Sequence, residues 1–118
     1  MRSDVGRYFE GRLLETIRLL RALYDVATGV GAEVEVGVEG RELVFRCASR
    51  EGGRGFLRVT AKETSALVVF PDGRDLLDPE RRLRGAYGRG RTLVVSSASE
   101  VDTYVRRLIE AAYGADPT

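Results

Sequence analysis

The sequence contains no histidine, and this absence removes the side chain most often used for catalysis and for metal binding. Without an imidazole, one chain cannot form a Ser-His or Cys-His nucleophilic pair, and no imidazole can bind zinc or iron. The usual general acid or base near neutral pH is missing as well. No spacing among the remaining reactive side chains matches a catalytic motif. We therefore expect no enzyme activity, no catalytic residues, no cofactor and no metal site.

Two further features are scarce: cysteine and long apolar runs. Cys47 is the only cysteine, so an internal disulfide is excluded. No apolar run approaches the ~18 residues that a membrane-spanning helix needs, and residues 1–6 lack the apolar core of a signal peptide. The sequence therefore predicts a cytoplasmic protein that does not enter a membrane. Its 118 residues, 43% of them apolar, fit a single domain over 1–118.

Charge of neither sign predominates in the chain. Nineteen basic residues stand against eighteen acidic ones, which gives a net charge of +1. No field of the whole protein would steer it to nucleic acid or to an anionic membrane. An electrostatic partner would have to be recognised by a local patch.

Apolar residues recur at helical spacing at both ends of the chain. Residues 4–28 predict one long helix that ends at Gly29. Residues 98–114 predict a second helix, for which Ser97 and Glu100 provide a capping box.

The first predicted helix has an unusually wide apolar stripe. Leu13, Ile17 and Leu20 lie at its centre, and Leu14 and Leu19 widen it. One sheet face cannot cover this width, so one flank should meet the last helix, a long loop or another copy of the chain. Leu14 and Leu19 are therefore the candidate association surface, and a homodimer is an open alternative.

Five short β-branched or alternating segments lie between the helices. They are residues 33–38, 41–48, 56–61, 66–70 and 92–96. Asp78, followed by Pro79, predicts a short helix before the last of them, with the aspartate as its cap. The order is then α-β-β-β-β-short α-β-α. Short connections favour antiparallel neighbours, so the predicted fold class is α+β, with a single antiparallel sheet of about five strands and both long helices on one face.

The inward phase of each predicted element gives an expected core. Its members share the apolar face of their own strand or helix. They are Phe45, Leu57, Val69, Val94, Val105 and Leu108.

Three short stretches carry a resemblance to a known family. They are Val44-Phe45-Arg46, Gly55-Phe56 and Leu108-Ile109-Glu110-Ala111-Ala112-Tyr113. With the order of elements, they resemble a family of small bacterial domains of unknown function, often labelled predicted transport proteins and related to the YdhG-like group. The resemblance covers roughly Phe9 to Tyr113. Part of that group is described as frataxin-like iron chaperones, and similar domains occur attached to nuclease-like domains, so the resemblance implies iron binding or a nucleic-acid context.

An arginine-rich segment is the strongest local patch in the sequence. Its members are Arg81, Arg82, Arg84, Tyr87, Arg89 and Arg91. Arginines of this kind bind phosphates, and a tyrosine among them can stack on a base. A solvated loop explains the same composition, so nucleic-acid or anion binding is one hypothesis for this segment.

An acidic cluster on the first predicted hairpin is the only candidate for iron. It consists of Glu33, Glu35, Glu39 and Glu42. Carboxylates are suitable ligands for a hard cation, but only Glu33 and Glu35 are certain to share a face. The first helix mixes arginines among its acids, unlike the acidic ridge that an iron chaperone needs.

The sequence therefore favours a non-enzymatic binding or protein-interaction domain that uses a surface between the sheet and the first helix. A nucleic-acid-binding accessory module that uses residues 81–91 is the first alternative. A frataxin-like iron-binding chaperone is the second. The identity of a protein partner or small ligand is open at this point.

Overall fold

A computed structural model of the chain describes residues 2–48, 55–85 and 90–115. The elements are α1 (Ser3–Phe9), α2 (Leu14–Gly29), β1 (Val34–Glu39), β2 (Glu42–Cys47), β3 (Leu57–Ala61), β4 (Ala66–Phe70), β5 (Arg91–Val95) and α3 (Thr103–Ala115). Two short 3-10 turns lie at Gly73–Asp75 and Ala98–Glu100. Across these ranges, no helix has the length and apolarity needed to cross a membrane.

The five strands form one sheet in the order β1-β2-β3-β4-β5, and every neighbouring pair is antiparallel. Each strand therefore lies beside its neighbour in sequence. Helices precede and follow the strands and pack on one face of the sheet. The predicted α+β class and single antiparallel sheet are confirmed.

The core lies between the helices and one face of the sheet. Phe45, Leu57, Val105 and Leu108 are buried there, as the sequence predicted. Val69 and Val94 were assigned to the wrong face, since Val69 is only partly buried and Val94 is 58% exposed. The buried residues of β4 and β5 are instead Ala66, Val68, Phe70, Leu93 and Val95. Both strands have apolar residues at odd and at even positions, so the sequence alternation does not show which of their two faces is buried.

The predicted first helix is broken in two. Gly11 has a φ of 74°, a left-handed conformation that favours glycine, and residues 10–13 separate α1 from α2. The Tyr8 hydroxyl fastens α1 to the sheet by donating to the Arg41 carbonyl (2.6 Å) and accepting from the Ala61 amide (2.9 Å). The other end agrees with the prediction, since Gly29 is the last helical residue and Val30 is the C-cap.

The last helix begins later than the capping box predicted. Ser97 makes no capping bond from its side chain, and Glu100 accepts a hydrogen bond from the Ser96 amide at 3.1 Å. Asp102 caps α3 instead, since its Oδ1 accepts from the Val105 amide at 3.0 Å. The helix also continues through Gly114, which was predicted to end it.

The outer edge of β5 is partly covered. Arg84 and Thr92 exchange two backbone hydrogen bonds of 2.7 and 2.5 Å. Because outward amides alternate along a strand, Val94 and Ser96 share this edge. Glu100 already accepts from Ser96, so the edge is occupied on both sides of Val94.

Candidate functional site

Asp78 is the centre of the segment that joins β4 to β5. Its side chain is 2% exposed and accepts four hydrogen bonds. Oδ1 accepts from the Arg82 amide (3.0 Å) and from the Tyr104 hydroxyl, which makes a short bond. Oδ2 accepts from the Leu83 amide (2.8 Å) and from Arg91 Nη2 (3.2 Å). One carboxylate thus joins its own loop to β5 and to α3.

The prediction that Asp78 caps a short helix is wrong. Residues 79–85 contain no helix, and the 3-10 turn of this segment lies before Asp78 at Gly73–Asp75. The chain turns back after Asp78, and Arg81 there has a φ of 54°. The carboxylate therefore binds amides four and five residues ahead, together with side chains from distant elements.

The surroundings of Asp78 and Tyr104 fix their protonation states. Burial alone would raise the pKa of Asp78, but the Tyr104 hydroxyl, two backbone amides and the charge of Arg91 together hold that pKa below its usual value. Burial and the bond to the Asp78 carboxylate raise the pKa of Tyr104. Neither group is poised to exchange a proton near neutral pH, so the pair positions the segment and is poorly suited to acid/base catalysis.

Arg82 ties the same segment to the start of α3. Its guanidinium bonds Asp102 Oδ2 at 3.1 Å and Glu80 Oε1 at 2.8 Å. Its central carbon lies 4.2 Å from the centroid of the Tyr104 ring, a cation–π contact. This arginine therefore holds the segment against the helix.

The structure does not bring the predicted anion patch together as one free surface. Arg82 is paired as described, and Arg91 bonds both Asp78 and the Leu76 carbonyl (2.9 Å). Arg81 and Arg84 are exposed, and neither makes an ion pair within the described ranges. The other two members, Tyr87 and Arg89, lie outside the described residues.

An apolar groove runs between this segment and α3. Its volume is about 410 Å³, and its lining residues are Asp75, Leu76, Leu77, Pro79, Tyr104, Arg107, Leu108 and Ala111. Buried leucines at 76 and 108 form its apolar interior. The two charged members are exposed and have opposite signs. Such a groove suits an apolar group flanked by charge.

Leu77, which lines the groove, is 86% exposed. It stands between two fixed residues. The amide of Leu76 donates to the Gly73 carbonyl at 3.2 Å, and its carbonyl accepts from Arg91. On the other side, Asp78 is held by its four hydrogen bonds. Leu77 is therefore an exposed apolar side chain between two residues that are held by hydrogen bonds.

A second cleft lies between α2 and α3 and is larger but more polar. It has a volume of about 660 Å³ and is lined by Asp25, Val26, Gly29, Val30, Arg106 and Glu110. Its charged groups outnumber its apolar side chains, so it is the weaker candidate for binding an apolar group.

Two of the four carboxylates of the predicted acidic cluster, Glu39 and Glu42, are paired with arginines. Glu39 bonds Arg46 and Arg58, the latter at 3.1 Å, and Glu42 lies 3.3 Å from Arg58. Arg46 first, and then Arg58, lower the pKa of Glu39. In the described part of the chain, no group of three or more His, Cys, Asp or Glu side chains is arranged to hold a metal.

The predicted association surface loses one of its two members. Leu19 is fully buried in the chain's own core, whereas Leu14 is 59% exposed beside Leu13 (54%). The buried face of α2 is centred on Leu19, Leu20 and Leu23 and not on Leu13 and Ile17, so Leu19 lies inside the chain's own core.

Sequence reasoning missed the groove itself. Leu76 and Leu77 were assigned to no predicted element, yet an adjacent apolar pair in a polar segment was a usable signal. The chain is thus a two-layer α+β fold with an apolar groove between residues 75–79 and α3. Comparison with protein-family models, curated proteins and solved structures finds no match for this chain, so the resemblance to the YdhG-like group stays a prediction.

Proposed function

We propose that this chain is a non-enzymatic protein-interaction domain that binds its partner through the groove between residues 75–79 and α3. The observation that carries the proposal is Leu77, 86% exposed and held in place beside an apolar groove. Exposed apolar surface next to a concave site is typical of interaction surfaces.

The groove suits an apolar side chain of a protein partner. Its volume of about 410 Å³ lies in the ~300–1,000 Å³ range of ligand pockets. Asp75 and Arg107 add opposite charges at its exposed margin, which would orient charged neighbours of the bound side chain. The supporting network around Asp78 reduces the ordering required on binding.

The nucleic-acid alternative has less support, because Arg82 and Arg91 already bond carboxylates. Only Arg81 and Arg84 of the described arginines in the segment are exposed. Titration with a short single-stranded oligonucleotide at low and high salt tests that alternative, since phosphate binding weakens steeply with salt.

The groove is tested with a capped leucine, N-acetyl-leucine amide, titrated into isotope-labelled protein and followed by NMR. We expect amide shifts at Leu76, Tyr104 and Leu108. Ala111→Leu should abolish them, because the added side chain would occupy the groove that Ala111 lines.

Ala98→Leu is the matched control, since Ala98 is also exposed and does not line the groove. This variant should bind the probe as the wild-type chain does. Shifts located elsewhere, or equal shifts in the Ala111→Leu variant, would contradict the proposal.

A further inference from the structure

We infer that the group that fills the groove is Leu77 of a second copy of this chain, so that two chains form a closed, two-fold symmetric dimer. The inference rests on the proposed function, because it identifies the partner of the same groove. It replaces the association surface expected at Leu14 and Leu19, of which Leu19 is buried.

The first argument is shape. A two-fold interface uses one patch twice, so the patch must be complementary to itself. Leu77 and the groove it borders form such a patch, since an exposed leucine and an apolar hollow lie side by side. In the proposed dimer, each Leu77 lies over the hollow of the opposite copy.

The second argument is charge. Asp75 and Arg107 both line the groove and are exposed, and neither takes part in an ion pair in the part of the chain that the structure describes. When two such grooves face each other, Asp75 of one copy meets Arg107 of the other, and the contact is made twice. An interface carrying one acid and one base per copy is therefore electrostatically complementary to itself.

The third argument is rigidity. Leu77 lies between Leu76, whose carbonyl accepts from Arg91 at 2.9 Å, and Asp78, whose side chain is 2% exposed. Little backbone freedom remains to be lost on docking, and this favours association. The net charge of +1 produces almost no repulsion between copies.

Sedimentation velocity of the full chain, from micromolar to near-millimolar concentration, tests the inference. The wild-type chain should form a dimer. Arg107→Asp alone and Asp75→Arg alone should each weaken the dimer about tenfold or more, because each places like charges opposite one another twice. The double variant Asp75→Arg/Arg107→Asp should restore the dimer, since the complementarity returns with the signs exchanged. Leu77→Ser should also abolish the dimer.

Arg106→Asp is the matched control. Arg106 is also an exposed arginine of α3, but it lines the cleft between α2 and α3 and not the groove. It should leave the dimer unchanged, and thermal unfolding checks that every variant is folded. A monomer at all concentrations, a double variant that fails to recover, or equal loss in Arg106→Asp would overturn the inference. If the chain is monomeric but capped leucine still shifts the amide signals of the groove residues, only the inferred self-association is wrong. If the chain is monomeric and the probe shifts none of these signals, the proposed function is wrong as well.

Discussion

Replacing Asp78 with alanine is the most direct test of how the site is held together. The carboxylate accepts hydrogen bonds from the amides of Arg82 and Leu83, from Tyr104 and from Arg91. Asp78→Ala removes the acceptor of all four donors at once. It also leaves Arg91, whose side chain is 27% exposed, without its carboxylate partner.

The expected loss follows from the burial of the carboxylate. Removing one member of a buried charged pair costs about 3–5 kcal/mol, out of a total stability of about 5–15 kcal/mol for a domain. We expect a loss within that range, because the Asp78 side chain is only 2% exposed. Asp78→Asn keeps one acceptor oxygen and should lose roughly half as much.

Urea unfolding followed by circular dichroism measures the effect. Glu110→Gln is the control, since Glu110 is an exposed carboxylate that makes no ion pair within the described ranges and does not line the groove. It should change the free energy of unfolding by less than about 0.5 kcal/mol. A loss below about 1 kcal/mol for Asp78→Ala, or one equal to that of the control, would refute the assigned role.

Two further predictions concern pH and backbone conformation. Because hydrogen bonds and Arg91 lower the pKa of Asp78 in the folded chain, its contribution is complete above the unfolded value of about 3.9 and is lost as the pH falls through the folded value. Urea unfolding should therefore show a decline in acid that is smaller in Asp78→Asn, and equal declines would count against this. Gly29→Ala should stabilise the chain by up to about 1 kcal/mol, since a Cβ there has open space in α2. Gly90→Ala should destabilise the chain by more than about 1 kcal/mol, because Gly90 has a φ of 80° and a Cβ there would lie 2.6 Å from the Phe70 carbonyl oxygen. Thermal melts in which Gly29→Ala is less stable than Gly90→Ala would contradict this prediction.

The single antiparallel sheet and the packing of the helices on one of its faces were predictable because the signals are local. Val34, Val36 and Val38 alternate with glutamates or glycine, and short connections allow only neighbouring antiparallel pairs. Around Val69 and Val94, apolar residues occupy both odd and even positions, so the sequence pattern does not show which face of the strand is buried. The pairing of the strands in the folded chain determines that face.

The break in the first helix shows a different limit. Helical spacing continues across Gly11, so periodicity alone predicts one helix. The left-handed conformation of Gly11 and the docking of Tyr8 on the sheet interrupt it, and both depend on the folded context.

The site was the least predictable part because its contacts are distant in sequence. Asp78 was recognised as a structural residue, but two of its donors come from Arg91 and Tyr104, 13 and 26 residues further along. The arginines of the same stretch were interpreted as an anion patch because acids that pair with them are far away in the sequence. Asp102 lies 20 residues from Arg82, and Asp78 lies 13 residues from Arg91.

The covered outer edge of β5 bears on how copies of the chain would assemble. An open strand edge acts as a template on which further strands add without limit, as in fibres. On this side only Val94 lies between the positions taken by Arg84 and Glu100, and one residue is too short for a new ladder. Addition of a further strand at this edge is thereby disfavoured. Two copies that meet through the groove near Leu77 would each fill the groove of the other. No groove is then left for a third copy, and such an assembly stops at two.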